Sequence, residues 1–396
     1  MSKTLKSFHE FLVLLSGHYF FLMIALCNFQ KSVLSFTSNC SRFGFLRRTL
    51  SNQVRGLNMS SRISGKSFIS VDEAIEAYQS DMDNLKFVDG SWWLGNARNA
   101  QQEFEEGPRI AGAHFFDIDA IAAIGEDLNP KSLPHMAPPK VSQSVKKLSS
   151  LRITVGSMSL IALFDHKELF AAAMDEMGIT NYNHVVIYGS DGCMFVPRTY
   201  YTFVAMGHDP EKVHLMQGSI KEWIEKGCPV ETCATRAIDV STLDTEKSAK
   251  YVAKDPTGFC GMDRVREVAN TMGKGDAIVV DARSAGRFVA TEPEPRPGLR
   301  GGHIPGSFNL PFVKLLQGPE GDWTKFRSND QLRQAFEEAG IDIETDKQII
   351  CSCGSGVTAA VIATALEKCG RSRDKTTIFD GSWIEWASEL TNPVNK

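Results

Sequence analysis

Two stretches of this chain repeat one pattern at a fixed distance, and that repeat limits the possible folds more than any single motif does. Val186-Ile187-Tyr188-Gly189-Ser190 matches Ile349-Ile350-Cys351-Ser352-Cys353, Gly218-Ser219 matches Gly381-Ser382, and Trp223 matches Trp386, all at an offset of 163 residues. Upstream, Phe87-Val88-Asp89 matches Val279-Val280-Asp281, and Arg109-Ile110-Ala111-Gly112 matches His303-Ile304-Pro305-Gly306. Short apolar runs of this kind read as buried parallel strands. Between them lie helix-period stretches at 71–78, 170–177, 199–206, 264–272, 330–339 and 358–368. Alternating strands and helices predict two tandem α/β domains, each a mainly parallel sheet flanked by helices. The pattern places them at 66–232 and 260–392, joined by a polar linker at 233–259.

The chemistry concentrates in the second copy. Cys353-Gly354-Ser355-Gly356 is a turn between an apolar strand and the apolar helix that starts near Val357-Thr358. Glycine tolerates positive φ, so such a turn can curl its amides toward a common centre. A thiol there also faces the N-terminus of the next helix, and both features favour a thiolate. Cys353 is therefore the candidate nucleophile. Gly354, Gly356, Val357 and Thr358 form the backbone of its cup, and Ser355 offers a hydroxyl two residues on. Cys351 reads as core. A phosphatase loop needs an Arg six positions after its Cys to hold phosphate; Ala359 stands there, or Val357 counting from Cys351, so that chemistry is excluded. The first copy presents Ser190 in place of the thiol and is expected to be silent, with Cys193 out of register.

Composition narrows the class. With 42% hydrophobic residues, 23% charged residues and a net charge of −4, the chain is an ordinary globular protein and no nucleic-acid binder. Nine cysteines at irregular spacing give no disulfide framework, and the lone Cys351-Ser352-Cys353 pair is no zinc site. Residues 1–65 stand apart as a targeting or disordered segment. Residues 1–70 hold nine Lys or Arg and one acid, Glu10. An apolar run at 11–29 precedes an Arg-rich, acid-free amphipathic stretch at 41–57, as in transit peptides. Mitochondrial targeting is expected, and a signal peptide or membrane anchor is the competing reading. Met59 offers a start for a shorter cytosolic form.

Cys353-Gly354-Ser355-Gly356-Val357-Thr358 resembles the active loop of the 3-mercaptopyruvate sulfurtransferases, within the rhodanese superfamily. Thiosulfate-preferring rhodaneses carry Arg-Lys where this chain has Gly354-Ser355. The resemblance spans about 66–390 and implies a silent N-terminal scaffold, a catalytic C-terminal domain and a cleft between them. It implies an enzyme that moves sulfur from mercaptopyruvate through a Cys353 persulfide, releasing pyruvate. The acceptor is then a small thiol, reduced thioredoxin or cyanide. No metal or organic cofactor is expected, because sulfur itself is carried on the cysteine, and no stable membrane partner is expected either. Ser355 is implied to act with a family His and Asp, but the His position is Arg109, a second candidate for substrate contact. Arg198 matches a substrate-binding arginine, while Val204 replaces the family's second one and Tyr200-Tyr201 its two tryptophans. Thiosulfate sulfurtransferase and a non-enzymatic persulfide carrier are the alternatives.

Overall fold

The computed structural model describes residues 63–80, 84–95, 98–121, 166–244 and 249–396. Most of the expected targeting segment, with the apolar run at 11–29, the basic stretch at 41–57 and Met59, lies outside the described residues.

Two five-stranded sheets carry the fold. The first uses β1 (Phe68–Ser70), β2 (Leu85–Asp89), β4 (His114–Phe115), β5 (His184–Tyr188) and β6 (Val213–Gln217) in the order β1-β6-β5-β2-β4. A two-stranded antiparallel ribbon, β3 (Arg109–Ile110) with β7 (Val230–Glu231), stands beside it. The second sheet uses β8 (Phe259–Cys260), β9 (Ala277–Asp281), β10 (Phe308–Asn309), β11 (Gln348–Ser352) and β12 (Thr376–Phe379) in the order β10-β9-β11-β12-β8. Read from the other edge this is the same order, and every pairing in both sheets is parallel. Helices α1 (Val71–Ser80), α2 (Ala100–Glu106), α3 (His166–Glu176), α4 (Pro197–Ala205) and α5 (Ile220–Glu225) belong to the first half. Helices α6 (Met262–Asn270), α7 (Ala285–Phe288), α8 (Asn329–Glu338), α9 (Ala359–Lys368) and α10 (Ser382–Ser388) belong to the second.

The expected helices appear within a few residues of their sequence positions. One ends early: α6 stops at Asn270 because Met272 and Gly273 take φ of +50° and +70°, which no α-helix continues. Helix α8 starts as its sequence dictates, with a capping box between Ser328 and Gln331.

Residues Ser61–Lys396 form one unit. Alternate strand residues explain why. Val185, Ile187 and Leu215 of the first sheet share one apolar cluster with Val280, Cys351 and Ile378 of the second. Their neighbours point the other way, into two outer cores: Val186, Tyr188 and Trp223 in one, Ile350, Phe379 and Trp386 in the other. Between the sheets α4 packs on α9, whose residues Ala359 to Leu366 are all buried. Burying a Leu or Ile side chain contributes roughly 1.5–3 kcal/mol, so α9 is held by this contact more than by its own propensity. Polar ties close the seam. Tyr200 Oη donates to Glu367 (2.7 Å), and Arg373 donates to Tyr200 (2.7 Å) and to Ser67 (3.1 Å). The segment expected to be a bland linker is anchored by buried Tyr251, whose amide donates to Asp175 (2.8 Å).

Candidate active site

Strand β11 ends at Ser352 and α9 begins at Ala359; the loop between them starts with Cys353 at the carboxyl end of the central strand. In open parallel sheets this end, where neighbouring strands lead off in opposite directions, is where ligands meet the fold. Gly356 makes the turn. Its φ is +83°, and a Cβ there would lie 2.7 Å from the Asp380 carbonyl oxygen, so only glycine fits. In this conformation its amide points back and donates to Cys353 Sγ at 3.1 Å. The cysteine backbone is pinned as well. Cys353 N donates to Ser382 Oγ (3.0 Å), which donates onward to the Phe379 carbonyl (2.8 Å). The first amides of α10, from Trp383 and Ile384, bond the carbonyls of Cys353 (3.0 Å) and Gly354 (3.1 Å). Cys353 is 2% exposed. Ser355 is buried beside it, and its hydroxyl makes no hydrogen bond among the described residues.

Charge surrounds the loop. Arg283 lies buried over the Trp383 ring and donates to Asp281 (2.6 Å), Glu294 (2.7 Å) and the Gly302 carbonyl (2.8 Å). Arg287 of α7 also pairs with Glu294 (2.6 Å), and its Nη2 lies 3.2 Å from where a Cβ on Gly354 would stand. Two guanidiniums thus share two carboxylates, with Arg287 the more exposed.

The sequence-predicted residues separate into two groups. Cys353, Gly354, Ser355, Gly356, Val357 and Thr358 are together in the loop, and Arg198 reaches it from α4. Its Nη1 donates to the Gly356 carbonyl (3.2 Å) and to Asp380 Oδ1 (3.0 Å). Arg109 is not brought there. Its buried guanidinium donates to the carbonyls of Phe104 (3.3 Å) and Cys233 (3.0 Å) and to Glu231 (3.1 Å), in the first half and at the start of the linker. Cys351 faces the shared core, where burial pushes its thiol far above the ordinary range. Ser382 was not singled out by sequence reasoning, although its place in the repeated Gly-Ser pair marked it.

The structure corrects the register of the repeat. Asp89 pairs with Tyr188 as Asp281 pairs with Ser352, and Gly90 N bonds Tyr188 O as Ala282 N bonds Ser352 O. Likewise Ile220 N bonds Gly189 O as Trp383 N bonds Cys353 O. The position equivalent to Cys353 is therefore Gly189, one residue before Ser190. Strand parity enforces this: a one-residue slip would turn Tyr188 from the outer core to the inner. The first-half cup has no thiol at the position equivalent to Cys353 and is filled from inside, since a Cβ on Gly189 would lie 2.4 Å from Val196. Cys193 is buried beneath it with its thiol pushed up to about 11 by burial. Asp89 occupies the place of Asp281 but has Ser91 where the second half has Arg283; burial without that cation raises its pKa to about 6.

Residues 264–389 match the family model described as a rhodanese-like domain. The chain is 31% identical to thiosulfate/3-mercaptopyruvate sulfurtransferase 1, mitochondrial, of Arabidopsis thaliana, over 86% of this chain and 80% of that one. It is 33% identical to the 3-mercaptopyruvate sulfurtransferase of Escherichia coli K12, over 75% of this chain and 86% of that protein. Among solved structures, a 3-mercaptopyruvate sulfotransferase of E. coli with the rhodanese fold superposes with a TM-score of 0.59 at 26% identity, covering 80% of this chain and 98% of that one. The parallel double-sheet fold, the cysteine loop and these relatives agree: the chain belongs to the 3-mercaptopyruvate sulfurtransferase family of tandem rhodanese-like enzymes, which transfer sulfur.

Proposed function

We propose that this enzyme takes sulfur from 3-mercaptopyruvate onto Cys353 and passes it to a thiol. The observation that carries this reading is the Gly356 amide aimed at Cys353 Sγ, 3.1 Å away. An N–H held there stabilises negative sulfur before attack and again when the persulfide is discharged. The Cys353 thiolate attacks the donor's sulfur; an S–S bond forms and the S–C bond breaks. The electron pair of that bond leaves on carbon as the enolate of pyruvate, which takes up a proton, and Cys353 is left as –S–SH. An incoming thiolate then attacks the outer sulfur and restores the Cys353 thiolate. Two steps through a covalent intermediate replace one direct transfer, and sulfur needs no separate carrier. Ser355, two residues after the nucleophile, offers a hydroxyl that donates to the departing enolate. Arg287, beside Gly354 and partly exposed, is the positive group best placed for the donor's anionic end.

That same arginine supports thiosulfate as a second donor, and the Arabidopsis relative's name includes both substrates. Small thiols, reduced thioredoxin and cyanide fit the second step as acceptors. The basic, acid-poor segment before residue 63 supports import into mitochondria, where the Arabidopsis relative resides. The test compares steady-state turnover of mercaptopyruvate and thiosulfate with one common acceptor, reading pyruvate release for the first. Higher kcat/KM with mercaptopyruvate is expected. Turnover of thiosulfate alone would reassign the donor, and a single stoichiometric transfer without turnover would make the protein a carrier.

A further inference from the structure

We propose that Arg198 is a positioning residue that holds the Cys353 sulfur in its reactive setting, rather than a ligand of the substrate. The side chain crosses from α4 of one half to the nucleophile loop of the other. It donates to the Gly356 carbonyl at 3.2 Å and to Asp380 at 3.0 Å, with its carbon 4.9 Å from the centre of the Phe259 ring. The Arg198 and Asp380 side chains are 3% and 5% exposed. A substrate carboxylate that claimed this guanidinium would have to compete with the buried Asp380 carboxylate already bonded to it, which is unfavourable.

The contact acts on the sulfur in two ways. The first is geometric: Gly356 is the residue whose amide meets Cys353 Sγ, and Arg198 holds the same residue by its carbonyl. The second is electrostatic. Asp380 Oδ1 lies 3.2 Å from where a Cβ on Gly356 would stand, so an anion sits against the loop that must carry a negative sulfur. Arg198 cancels it. Other charged or titratable groups also face the loop and this pair: Arg287 and Arg283 share Glu294 and Asp281, Cys351 lies in the strand below, Tyr201 lies near Arg198 and Asp380, Cys260 lies near Asp380, and Glu385 sits beside Gly381. Arg198 is a cation paired directly with Asp380 at this loop.

The inference rests on Cys353 as the nucleophile, so the test reads that separately. The full-length protein, without donor, is treated with iodoacetamide at neutral pH, the labelled peptide is identified by mass spectrometry, and rates are compared. Arg198→Ala is expected to slow labelling of Cys353 about 3- to 10-fold, the size of a nearby charge effect. Asp380→Asn, which leaves the cation unopposed, is expected to speed it. Arg198→Lys, which keeps the charge, should restore most of the rate. In steady state Arg198→Ala should lower kcat for mercaptopyruvate and thiosulfate alike with little change in KM. Unchanged labelling together with a KM raised for mercaptopyruvate alone would make Arg198 a substrate clamp and overturn the proposal. Should Arg198→Ala not fold, the Lys and Asn variants still decide: equal labelling rates in both and in the parent overturn it. Label on a different cysteine sinks the nucleophile assignment itself.

Discussion

Arg109 and His303 perform one structural task in the two halves. Arg109 Nη1 donates to the carbonyl of Phe104 and lies over its ring, at 3.3 Å and 5.4 Å. His303 Nδ1 donates to the carbonyl of Phe288 at 2.9 Å and stacks on its ring with centroids 3.8 Å apart. Each ties a turn of the repeat to the aromatic residue of the preceding helix. The arginine that replaces a histidine in the Arg-Ile-Ala-Gly segment is thus a brace, and its length lets it also reach Glu231 and Cys233 across the β3–β7 ribbon.

Arg109→Ala should lower stability by about 1–3 kcal/mol through the lost buried bonds, with KM for either donor unchanged. Thermal melting and kinetics on one preparation check this. A raised KM in a protein of unaltered Tm would return Arg109 to the substrate site.

The two loop-end cysteines should behave differently. Cys353→Ser is expected to remove turnover by several orders of magnitude, because a hydroxyl forms no persulfide. Cys351→Ala faces only the shared core and should cost about 1 kcal/mol of stability with most activity kept. Mass spectrometry after donor addition should find the added sulfur on Cys353; sulfur on Cys351 or Cys193 would contradict the mechanism.

Gly356→Ala probes the turn. A side chain at φ +83° costs about 1–2 kcal/mol, and its Cβ also presses on the Asp380 carbonyl. The loop relieves that pressure by moving, which takes its amide off the sulfur. We expect kcat to fall at least 10-fold while Tm drops by only a few degrees. A variant with parental kcat would show that the amide contact is dispensable.

Acid sensitivity follows from buried groups of opposite sign. His214 donates from Nδ1 to the Lys66 carbonyl (2.6 Å) and accepts at Nε2 from His184 (2.9 Å), so it is held neutral; burial lowers its pKa to about 4. His208, bonded to the Asn183 carbonyl (3.0 Å) and Tyr251 (2.8 Å), is lowered by burial too. Between the unfolded value of 6.5 and about 4 the unfolded chain binds more protons, so stability falls as pH drops through that window. For His214 the loss approaches about 3 kcal/mol. Asp89 runs the other way: raised from 3.8 to about 6, it favours the folded state as pH falls from 6 to 4. Asp89→Asn should therefore steepen the loss of stability on acidification, and His214→Gln should flatten it. Urea midpoints from pH 7 to pH 4 measure both slopes, and identical slopes in all three proteins would refute the assignment.

Much of this is legible in the sequence. The apolar runs gave the strands, and 359–368 reads as a packed helix because its apolar residues leave no polar face. Cys353 stood out because two glycines and a helix start flank it. The register error at Ser190 was not visible: both copies run Gly or Ser through the turn, and only backbone bonds from Ile220 and Trp383 identify the equivalent carbonyls. Nor was the partner of Arg198. An arginine in a cleft suits a substrate carboxylate as well as an internal one, and Asp380 lies 182 residues away. Tyr251 escaped notice because a single buried aromatic in a polar stretch leaves no period.

The shared apolar core has a consequence for how such a duplicated chain can diverge. Val196 fills the cup at Gly189, so the first half's described tie to the nucleophile loop is Arg198 on α4, and most mutations elsewhere in that half do not touch the loop. They are constrained all the same, because its strands and α4 form one face of the catalytic half's own interior. Separated from it, the C-terminal half would present α9 and the inner residues of its sheet to water, a surface that draws chains into aggregates. The first copy is thereby a permanently attached folding partner, inherited in the same chain and supplied at equal dose.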